Sequence, residues 1–348
     1  MTCLLEIDVS AIRANYDYLS QETSSRVSGV VKADAYGLGA IKVASVLIEC
    51  GCKEFFVATA HEGKILRQEF GEIVVYVLEG VLADTIDLLV EYNLTPVLNT
   101  PNQCVMWLDT DRPAAIHADS GMERLGLNID ELSDVINDFA LDIRLIVSHL
   151  ARADEPDHPF NHTQLERFRL ICEKIRTKYP KIETSLGNSA GLIKQALNDS
   201  LSRAGIALYG GNPFSDRSNP MRQVVSMRAQ VLQLRKIPRG TRVGYGGTFE
   251  ARRDSVLATI GAGYADGIPR ALSNKGKVYA SGNYCPIVGR VSMDTLHIDV
   301  TGLSIEEGDW VELIGSNIRL DELALLSGTI AYEILIGLGK RCVTVYSD

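Results

Sequence analysis

Three ionisable side chains stand at or near the ends of short apolar segments of the sequence. Lys32 follows residues 29–31, His149 follows residues 145–148, and Arg203 lies inside the segment 201–206. A lysine amine that loses its hydration has a lowered pKa and becomes a candidate nucleophile or Schiff-base former. The position of Lys32 is equally compatible with a stem that lies along the rim of the fold while the charge stays in water.

Two loops near Arg203 contain residues that suit a phosphate group. Asn188 and Ser189 precede a predicted helix, whose first backbone N–H groups form a natural anion site. The amides of Gly205 and Ile206 lie just after the next predicted strand. The two loops together predict a phosphate site, although helix capping alone would also explain Asn188 and Ser189.

Arg203 adds a second reason to expect a ligand. An arginine in an apolar strand must pair its guanidinium with a ligand or a buried partner, unless it faces outward into an interface. A lysine, a histidine, an arginine and a phosphate site at neighbouring strand ends indicate a phosphorylated cofactor that is held covalently. Pyridoxal phosphate is the most economical candidate. The histidines and cysteines lack the spacing of a metal site, so we expect no metal.

The elements that would position these residues alternate between short apolar strands and amphipathic helices over the first two thirds of the chain. Helical spacing is clear at Val43, Val46, Leu47 and Cys50. The eight candidate strands are Gly29 to Ala33, Phe55 to Thr59, Ile73 to Leu78, Pro96 to Asn99, Pro113 to Ala118, Ile143 to His149, Ile182 to Leu186 and Leu201 to Gly205. Eight such repeats predict a (β/α)8 TIM-like barrel, with its active site at the C-terminal ends of the strands.

The pattern changes after about Pro220. Leu296, Ile298 and Val300 alternate with polar residues, which is the period of a half-buried antiparallel strand. The candidate strands here are Val224 to Leu234, Val256 to Gly261, Lys277 to Ala280, Pro286 to Val291, Leu296 to Val300 and Trp310 to Ile314. We therefore expect a cofactor-binding barrel over residues 1–222 and a C-terminal, mostly-β domain over residues 223–348.

Composition excludes several classes of protein. The chain has 348 residues, of which 46% are hydrophobic and 23% charged, as in ordinary globular domains. A net charge of -9 disfavours general binding of nucleic acid. Seven scattered cysteines indicate free or buried thiols rather than a disulfide framework, and hence a cytoplasmic protein. We expect no membrane partner, because no apolar run reaches ~18 residues and the sequence does not open on a signal peptide.

Five motifs, in order, resemble those of the alanine racemase family, the barrel-type pyridoxal phosphate racemases. Val31 to Gly37 resembles the cofactor-lysine motif, Asp119 to Gly126 the substrate-side arginine motif, and Gly263 to Gly267 the motif of the second base. Val288 to Asp294 and Gly328 to Glu333 complete the set. Each string is short, but their order makes the resemblance specific, and it spans essentially the whole chain.

The resemblance implies a role for each residue of the cofactor site. Lys32 would form the Schiff base, Arg203 would face the pyridine nitrogen, and His149 would support Arg203. The residues implied around the phosphate are Tyr36, Ser189, Gly205 and Ile206, with Asn188 in the same loop. Because arginine stays protonated, it would keep the pyridine nitrogen unprotonated and so make the ring a weaker electron sink, which disfavours transamination.

The resemblance also implies a two-base reaction. Racemisation removes the α-proton and returns a proton to the opposite face, so two bases must flank the reacting carbon. Lys32 would act on the D-isomer and Tyr264 of a partner chain on the L-isomer, in a homodimer with shared active sites. Arg124, Met293 and Asp294 would contact the substrate. A neutral tyrosine is a weak base, so we expect a cation such as Arg124 to assist it.

The chain departs from the family pattern at several positions. Asp34 and Leu38 stand where the family usually has asparagine and histidine. His117 stands where many relatives carry a carbamylated lysine that positions the arginine corresponding to Arg124, so Arg124 must be held differently here. Lys340 stands where some members have a phosphate-binding tyrosine and serine-preferring members an asparagine. Alanine as the substrate is therefore less firmly implied than racemisation.

The function implied by the resemblance is interconversion of L-alanine and D-alanine, with the D-isomer supplied for peptidoglycan. A serine or broad-specificity racemase is the nearest alternative. Two other classes share the barrel. The pyridoxal phosphate decarboxylases of basic amino acids are longer and use a cysteine-centred C-terminal motif that we do not find, and the non-catalytic cofactor-binding barrels have no attached β-domain.

Overall fold

The computed structural model describes residues 2–194, 197, 199–339 and 341–348, and for Lys194 the backbone alone. The chain forms two compact units. The barrel unit comprises Arg13–Leu208 and Asn212–Pro220, and the β-unit comprises the segment that ends at Ile12 together with Tyr209–Gly211 and Met221–Asp348. The first strand, β1 (Cys3–Asp8), therefore belongs to the β-unit, although the sequence-based division groups it with the barrel.

Eight parallel strands form the barrel, which confirms the predicted fold class. They are β2 (Arg26–Val30), β3 (Glu54–Val57), β4 (Val74–Val77), β5 (Thr95–Leu98), β6 (Pro113–His117), β7 (Asp142–Val147), β8 (Glu183–Ser185) and β9 (Leu201–Ala204). Their order in the sheet is β8-β7-β6-β5-β4-β3-β2-β9. Backbone hydrogen bonds from Ser200 to Thr184 and from Arg203 to Gly187 join the two end strands, so the barrel is nearly closed.

Helices alternate with the barrel strands, as the periodicity predicts. They are α1 (Val9–Gln21), α2 (Lys32–Gly37), α3 (Ala40–Glu49), α4 (Ala60–Glu69), α5 (Ile86–Glu91), α6 (Pro101–Leu108), α7 (Ile129–Asp138), α8 (Pro159–Ile175) and α9 (Ser189–Lys194). Helix α3 buries Val43, Val46 and Leu47, the positions that the helical spacing singles out. In the part of the chain that is described, no helix has both the length and the apolar character that a bilayer crossing requires.

The β-unit is built on antiparallel strands around β10. Its strands after β1 are β10 (Val225–Ile237), β11 (Arg242–Val243), β12 (Phe249–Glu250), β13 (Ser255–Ile260), β14 (Lys277–Ala280), β15 (Asn283–Pro286), β16 (Leu296–Asp299), β17 (Trp310–Ile314) and β18 (Val343–Ser347). Two short helices, α10 (Leu320–Ser327) and α11 (Ala331–Gly337), precede β18. Strand β1 pairs antiparallel with β10 and parallel with β18.

The predicted strand from Pro286 to Val291 is wrong. The structure instead pairs β15 with β14 as an antiparallel hairpin. Ser281 and Gly282 at its tip have φ angles of 47° and 77°, and two consecutive positive φ angles are typical of the tight turns that join hairpin strands. This turn sets the register and ends β15 at Pro286, beyond which Ile287 makes an isolated bridge.

The expectation of free or buried thiols is wrong for one pair of cysteines, because Cys3 and Cys342 are bonded. The parallel pairing of β1 with β18 sets Leu4 opposite Val343 and so brings the preceding residues together, with Cα atoms 4.8 Å apart. Spacing could not reveal a pair that is separated by 339 positions. The free cysteines are Cys50, Cys52, Cys104, Cys172 and Cys285.

Candidate active site

Lys32 lies at the C-terminal end of β2 and begins α2, so the predicted strand through Ala33 is too long. Residues 33–36 have φ angles of 51°, 55°, 52° and 58°, which makes α2 a left-handed turn. Such a backbone costs an L-residue ~1–2 kcal/mol, so contacts must hold it. One of them is the bond from the N–H of Ala40 to Oδ1 of Asp34, at 2.7 Å.

Glu62, on the helix α4 that follows the neighbouring strand β3, also stabilises this left-handed turn. Its carboxylate accepts hydrogen bonds from the N–H groups of Ala33 (2.8 Å), Ala58 (2.7 Å) and Thr59 (3.3 Å). Because residues 58 and 59 follow β3, Glu62 ties the end of β3 to the residue after Lys32. Glu62 is not among the residues predicted from the sequence, although Thr59-x-x-Glu62 has the form of a capping box and does form one.

The surroundings of Lys32 favour its neutral amine. Burial lowers the pKa of Lys32, and the positive charges of Arg124 and Arg203 lower it further, while the carboxylate of Glu62 opposes them. An uncharged amine is the form that attacks a carbonyl group or accepts a proton. Lys32 is partly buried among these charges at the barrel rim.

Arg203 on β9 is a buried cation whose hydrogen-bond partners, in the ranges that the structure describes, are all neutral. Its Nη1 donates to the carbonyl and the hydroxyl of Ser185, at 2.8 and 2.6 Å, and its Nη2 donates to the carbonyl of Ser148. Burial lowers the pKa of Arg203 to about 10, which leaves it charged at neutral pH. Among the described residues, no acid forms an ion pair with this guanidinium and no acceptor binds its Nε.

His149 follows β7 and contacts Arg203 directly. The Nη2 of Arg203 lies 3.3 Å from Nδ1 of His149. Burial lowers the pKa of His149 to about 3, and the charges of Arg203 and Arg124 act in the same direction. The imidazole is therefore neutral at physiological pH.

Tyr36, Ser189 and Gly205 come together where β8 and β9 end. The hydroxyl of Ser189 accepts hydrogen bonds from the N–H of Gly205 at 2.9 Å and of Ala207 at 3.4 Å. A Cβ on Gly205 would lie 2.6 Å from the hydroxyl oxygen of Tyr36, closer than real side chains approach. A side chain at position 205 would therefore displace the hydroxyl of Tyr36, and the glycine leaves that hydroxyl and the Ser189 hydroxyl both close to the backbone at residue 205.

Asn188 and Ile206 flank this cluster. The Oδ1 of Asn188 accepts from the N–H of Gly191 at 3.0 Å, which is the capping contact that we named as the alternative to phosphate binding. Ile206 is buried and begins a short 3-10 turn, Ile206–Tyr209. The structure thus brings every predicted cofactor residue of the barrel to the C-terminal ends of the strands.

Asp119 shapes the loop that carries Arg124. Its carboxylate accepts from the consecutive amides of residues 121–123, at 2.7, 2.8 and 2.9 Å. Arg124 itself is exposed in the described structure. Its charge nevertheless reaches the site, because it lowers the pKa of Lys32.

Gln164 on α8 joins two loops of the site and is not among the residues predicted from the sequence. It is fully buried. Its Nε2 donates to the carbonyl of His149 at 3.0 Å and to the hydroxyl of Ser120 at 3.3 Å, and its Oε1 accepts from the N–H of Ala151 at 2.8 Å. The sequence feature that could have revealed Gln164 is its position four residues before Phe168, which places a polar residue on the buried face of α8.

His117 ends β6 and does not contact Arg124 by any hydrogen bond within the described part of the chain. Its Nδ1 donates to Oδ1 of Asn99 at 2.8 Å, because the amide nitrogen of Asn99 already donates to two backbone carbonyls. The buried Nε2 therefore carries no proton and can only accept a hydrogen bond, and no described group donates one to it. Burial lowers the pKa of His117 to about 4, so the ring is neutral.

The β-unit holds the remaining predicted residues. Tyr264 lies on the 3-10 turn Tyr264–Asp266 and is 44% exposed, and Met293 is 52% exposed. Asp294 accepts a hydrogen bond from Arg341 at 2.6 Å. Lys340, which bears on substrate choice in our sequence analysis, lies outside the described residues.

Comparison with known proteins identifies the family. The family model of the alanine racemase N-terminal domain matches residues 7–213, and that of the alanine racemase C-terminal domain matches residues 224–346. The chain belongs to the alanine racemase family. The alanine racemase of Rickettsia akari (strain Hartford) is 41% identical, over 99% of each chain. A catabolic alanine racemase of Agrobacterium fabrum (strain C58 / ATCC 33970) is 42% identical, over 97% of this chain and 90% of its own.

Solved structures of alanine racemases share the whole fold. The structure of alanine racemase from Bartonella henselae with covalently bound pyridoxal phosphate has a TM-score of 0.95 to this chain at 39% identity, with full coverage of both chains. The biosynthetic alanine racemase from Pseudomonas aeruginosa has a TM-score of 0.93 at 32% identity, covering 100% of this chain and 99% of its own. The chain is thus an enzyme of the alanine racemase family, and its cofactor is pyridoxal phosphate.

The barrel residues fit that cofactor. A desolvated lysine suits its aldehyde, and a buried arginine whose Nε meets no acceptor among the described residues suits its ring nitrogen. The backbone at Gly205, close to the hydroxyls of Tyr36 and Ser189, suits its phosphate. Membership of the alanine racemase family also removes the decarboxylase and the non-catalytic alternatives.

Proposed function

We propose that this alanine racemase family member interconverts L-alanine and D-alanine by a two-base mechanism. The observation that carries the proposal is the state of Lys32 in the barrel unit. Its amine is partly buried at a strand end, close enough to Arg124 and Arg203 for both charges to lower its pKa. A lowered pKa increases the fraction of neutral amine, which is the form that accepts a proton as a general base.

The barrel would hold the cofactor through the residues that lie together at the C-terminal ends of its strands. Lys32 would bind it covalently, Arg203 would face the ring nitrogen with His149 behind it, and the phosphate would lie at Tyr36, Ser189, Gly205 and Ile206, next to the cap formed by Asn188. When bound, pyridoxal phosphate supplies an electron-withdrawing ring that makes the α-proton of the amino acid acidic. The protein must then place a base on each side of the α-carbon.

Each base works at a defined atom. For the D-isomer, Nζ of Lys32 accepts the α-proton while Oη of Tyr264 gives a proton to the opposite face, and for the L-isomer the roles are exchanged. The exposed guanidinium of Arg124 would bind the carboxylate of the substrate. Arg203 keeps its own protons at neutral pH, since its pKa is about 10. Facing the ring nitrogen of the bound cofactor, Arg203 would therefore donate a hydrogen bond to it without giving up a proton, which would limit transamination.

We infer that Tyr264 comes from a second copy of the chain, in a homodimer with shared sites. Tyr264 and Met293 are large, largely apolar side chains that stand 44% and 52% exposed on the β-unit. A surface of this kind is typical of protein interfaces. Met293 and Asp294 would lie beside Tyr264 at the same interface and contact the substrate.

Deuterium exchange at the α-carbon tests the two-base mechanism. Enantiomers have equal free energies, so kcat/KM must stay equal in both directions and cannot show the asymmetry. In D2O, Tyr264→Phe should lose α-proton exchange of L-alanine while Lys32 still exchanges the α-proton of D-alanine with retention of configuration. Lys32→Ala should lose the visible absorption band of the bound cofactor. Equal loss of exchange from both isomers in Tyr264→Phe would refute the mechanism.

Mixing two inactive variants tests the shared sites. Random re-association of Lys32→Ala with Tyr264→Phe gives heterodimers in which one site holds both intact residues, so about a quarter of the wild-type activity should return. Mixing two preparations of the same variant is the control. If activity does not return although native mass spectrometry detects heterodimers, each site is contained in one chain.

The substrate and the cellular role need their own tests. A panel of L-amino acids, assayed for formation of the D-isomer, should show alanine as the best substrate, and preference for serine would support the alternative racemase. We propose a cytoplasmic enzyme that supplies D-alanine for peptidoglycan, which the five free thiols support and the Cys3–Cys342 bond does not. Deletion should create a requirement for D-alanine, whereas a catabolic enzyme would be needed only for growth on alanine.

A further inference from the structure

Asp266 is a buried carboxylate two residues after Tyr264. Only 4% of Asp266 is exposed. Its Oδ2 accepts a hydrogen bond at 2.9 Å from the N–H of Gly263, the residue just before Tyr264. The side chain therefore spans the turn that carries Tyr264 and holds both of its ends.

Arg341 binds the same carboxylate with two parallel hydrogen bonds. Nε lies 3.1 Å from Oδ1 of Asp266, and Nη2 lies 2.9 Å from Oδ2. The remaining Nη1 donates to Oδ1 of Asp294 at 2.6 Å. The hydrogen bonds to Asp266 and Asp294 raise the pKa of Arg341. A bidentate pair fixes orientation as well as distance, so Arg341 locks the Tyr264 turn to the loop of Asp294.

Backbone contacts confine the turn from two sides. The N–H groups of Tyr264 and Ala265 donate to the carbonyls of Ser292 and Met293, both at 3.0 Å. A Cβ on Gly263 would lie 2.3 Å from the carbonyl oxygen of Met293, so this approach is as close as glycine permits. On the other side, the N–H of Gly339 donates to the carbonyl of Asp266 at 2.9 Å.

We propose that Asp266 and Arg341 are positioning residues for Tyr264, and that their ion pair holds the tyrosine hydroxyl in the one orientation that proton transfer needs. This inference rests on the proposed role of Tyr264 as one of the two bases. The competing explanation is that the pair only stabilises the β-unit. The carboxylate is buried but the side chain of Arg341 is 49% exposed, and a pair with an exposed partner contributes little to stability, so stability alone is a weak reason for this one.

Asp266→Asn and Arg341→Lys test the proposal in the whole cofactor-loaded enzyme. The amide of Asp266→Asn removes the ion pair, and Arg341→Lys keeps the charge but loses the two-point contact. In each variant, α-proton exchange of L-alanine in D2O should fall about tenfold to a hundredfold, as expected when a reacting group is misplaced by ~1 Å. Exchange of D-alanine with retention of configuration, which needs Lys32, should fall less than about twofold.

The matched control is Arg253→Gln, which removes an arginine–aspartate pair of the same unit, with Asp299 at 3.4 Å, that does not touch the Tyr264 turn. It should leave both exchange rates unchanged. Equal loss of both rates in Asp266→Asn and Arg341→Lys, or no loss in either, would overturn the positioning role. If Asp266→Asn does not fold, the exchange rates of Arg341→Lys test the positioning role instead.

If Tyr264→Phe shows no asymmetry between isomers, the two-base mechanism itself is wrong. This result distinguishes failure of the two-base mechanism from failure of the positioning role.

Discussion

Nη2 of Arg203 lies 3.3 Å from Nδ1 of His149, and this contact determines the state of the histidine. A guanidinium has donors alone, so Nδ1 must accept the hydrogen bond. The imidazole is then neutral with its proton on Nε2, in agreement with the pKa of about 3 that burial and the nearby cations produce. No acid in the described ranges forms an ion pair with this guanidinium, although the charge of Asp199 also acts on it.

Replacing His149 tests this contact. His149→Leu leaves a buried N–H of Arg203 without this acceptor, which should cost about 1–3 kcal/mol in free energy of unfolding and weaken cofactor binding. His149→Gln offers a side-chain oxygen and should recover most of that loss. Urea titration and cofactor dissociation measure the two effects. If both variants lose the same amount, the acceptor at this position is unimportant.

The protonation of Lys32 should respond to its two neighbours in opposite directions. Arg124 lowers the pKa of Lys32 and Glu62 raises it. When the rate of cofactor capture by the apoenzyme is measured against pH, the midpoint should therefore move up in Arg124→Gln and down in Glu62→Gln. Glu79→Gln is the matched control, because Glu79 also binds an α4 amide, that of Ala60 at 2.9 Å. Shifts in the same direction for both variants would contradict this electrostatic explanation.

Gly205 and Tyr36 should behave as a coupled pair. In Gly205→Ala the new Cβ would lie 2.6 Å from the tyrosine hydroxyl, so the free energy of unfolding should fall by about 1–3 kcal/mol and cofactor affinity should fall with it. In Tyr36→Phe the nearest ring atom would be 3.5 Å away, an ordinary contact. Gly205→Ala should then cost little in the Tyr36→Phe background, which a double-mutant cycle measures. Additive costs would show that the clash is elsewhere.

Stability should fall in mild acid, partly through His117. Its pKa is about 4 in the folded chain, whereas an unfolded histidine titrates near ~6.5, so the unfolded chain binds the extra proton between these values. The contribution is complete above pH ~6.5 and is lost as the pH falls towards 4, at up to about 1.4 kcal/mol per pH unit. His117→Gln should show a shallower loss between pH 6.5 and 4.5 in urea unfolding. An unchanged slope would mean that His117 is already protonated or exposed.

Much of the barrel and of the cofactor site could be predicted from local pattern. Strand–helix alternation places a residue at a strand end, and in a parallel barrel all C-terminal strand ends meet at one rim. The position of Lys32, His149, Ser189 and Arg203 at or next to strand ends is enough to group them. Strand position alone does not group every residue of the site. It cannot find Glu62 or Gln164, whose parts in the site depend on hydrogen bonds to loops from other strands.

The sequence by itself determined the fold class, the cofactor and the family, because periodicity and short motifs are local properties of the chain. Tertiary structure alone decided that β1 joins the C-terminal sheet, that Cys3 meets Cys342, and that α2 is left-handed. It also decided that Arg341 forms an ion pair with Asp266, which lies 75 positions earlier in the sequence. These features depend on contacts between segments that are distant in the sequence. The free energies of such contacts cannot be inferred from a short stretch of residues.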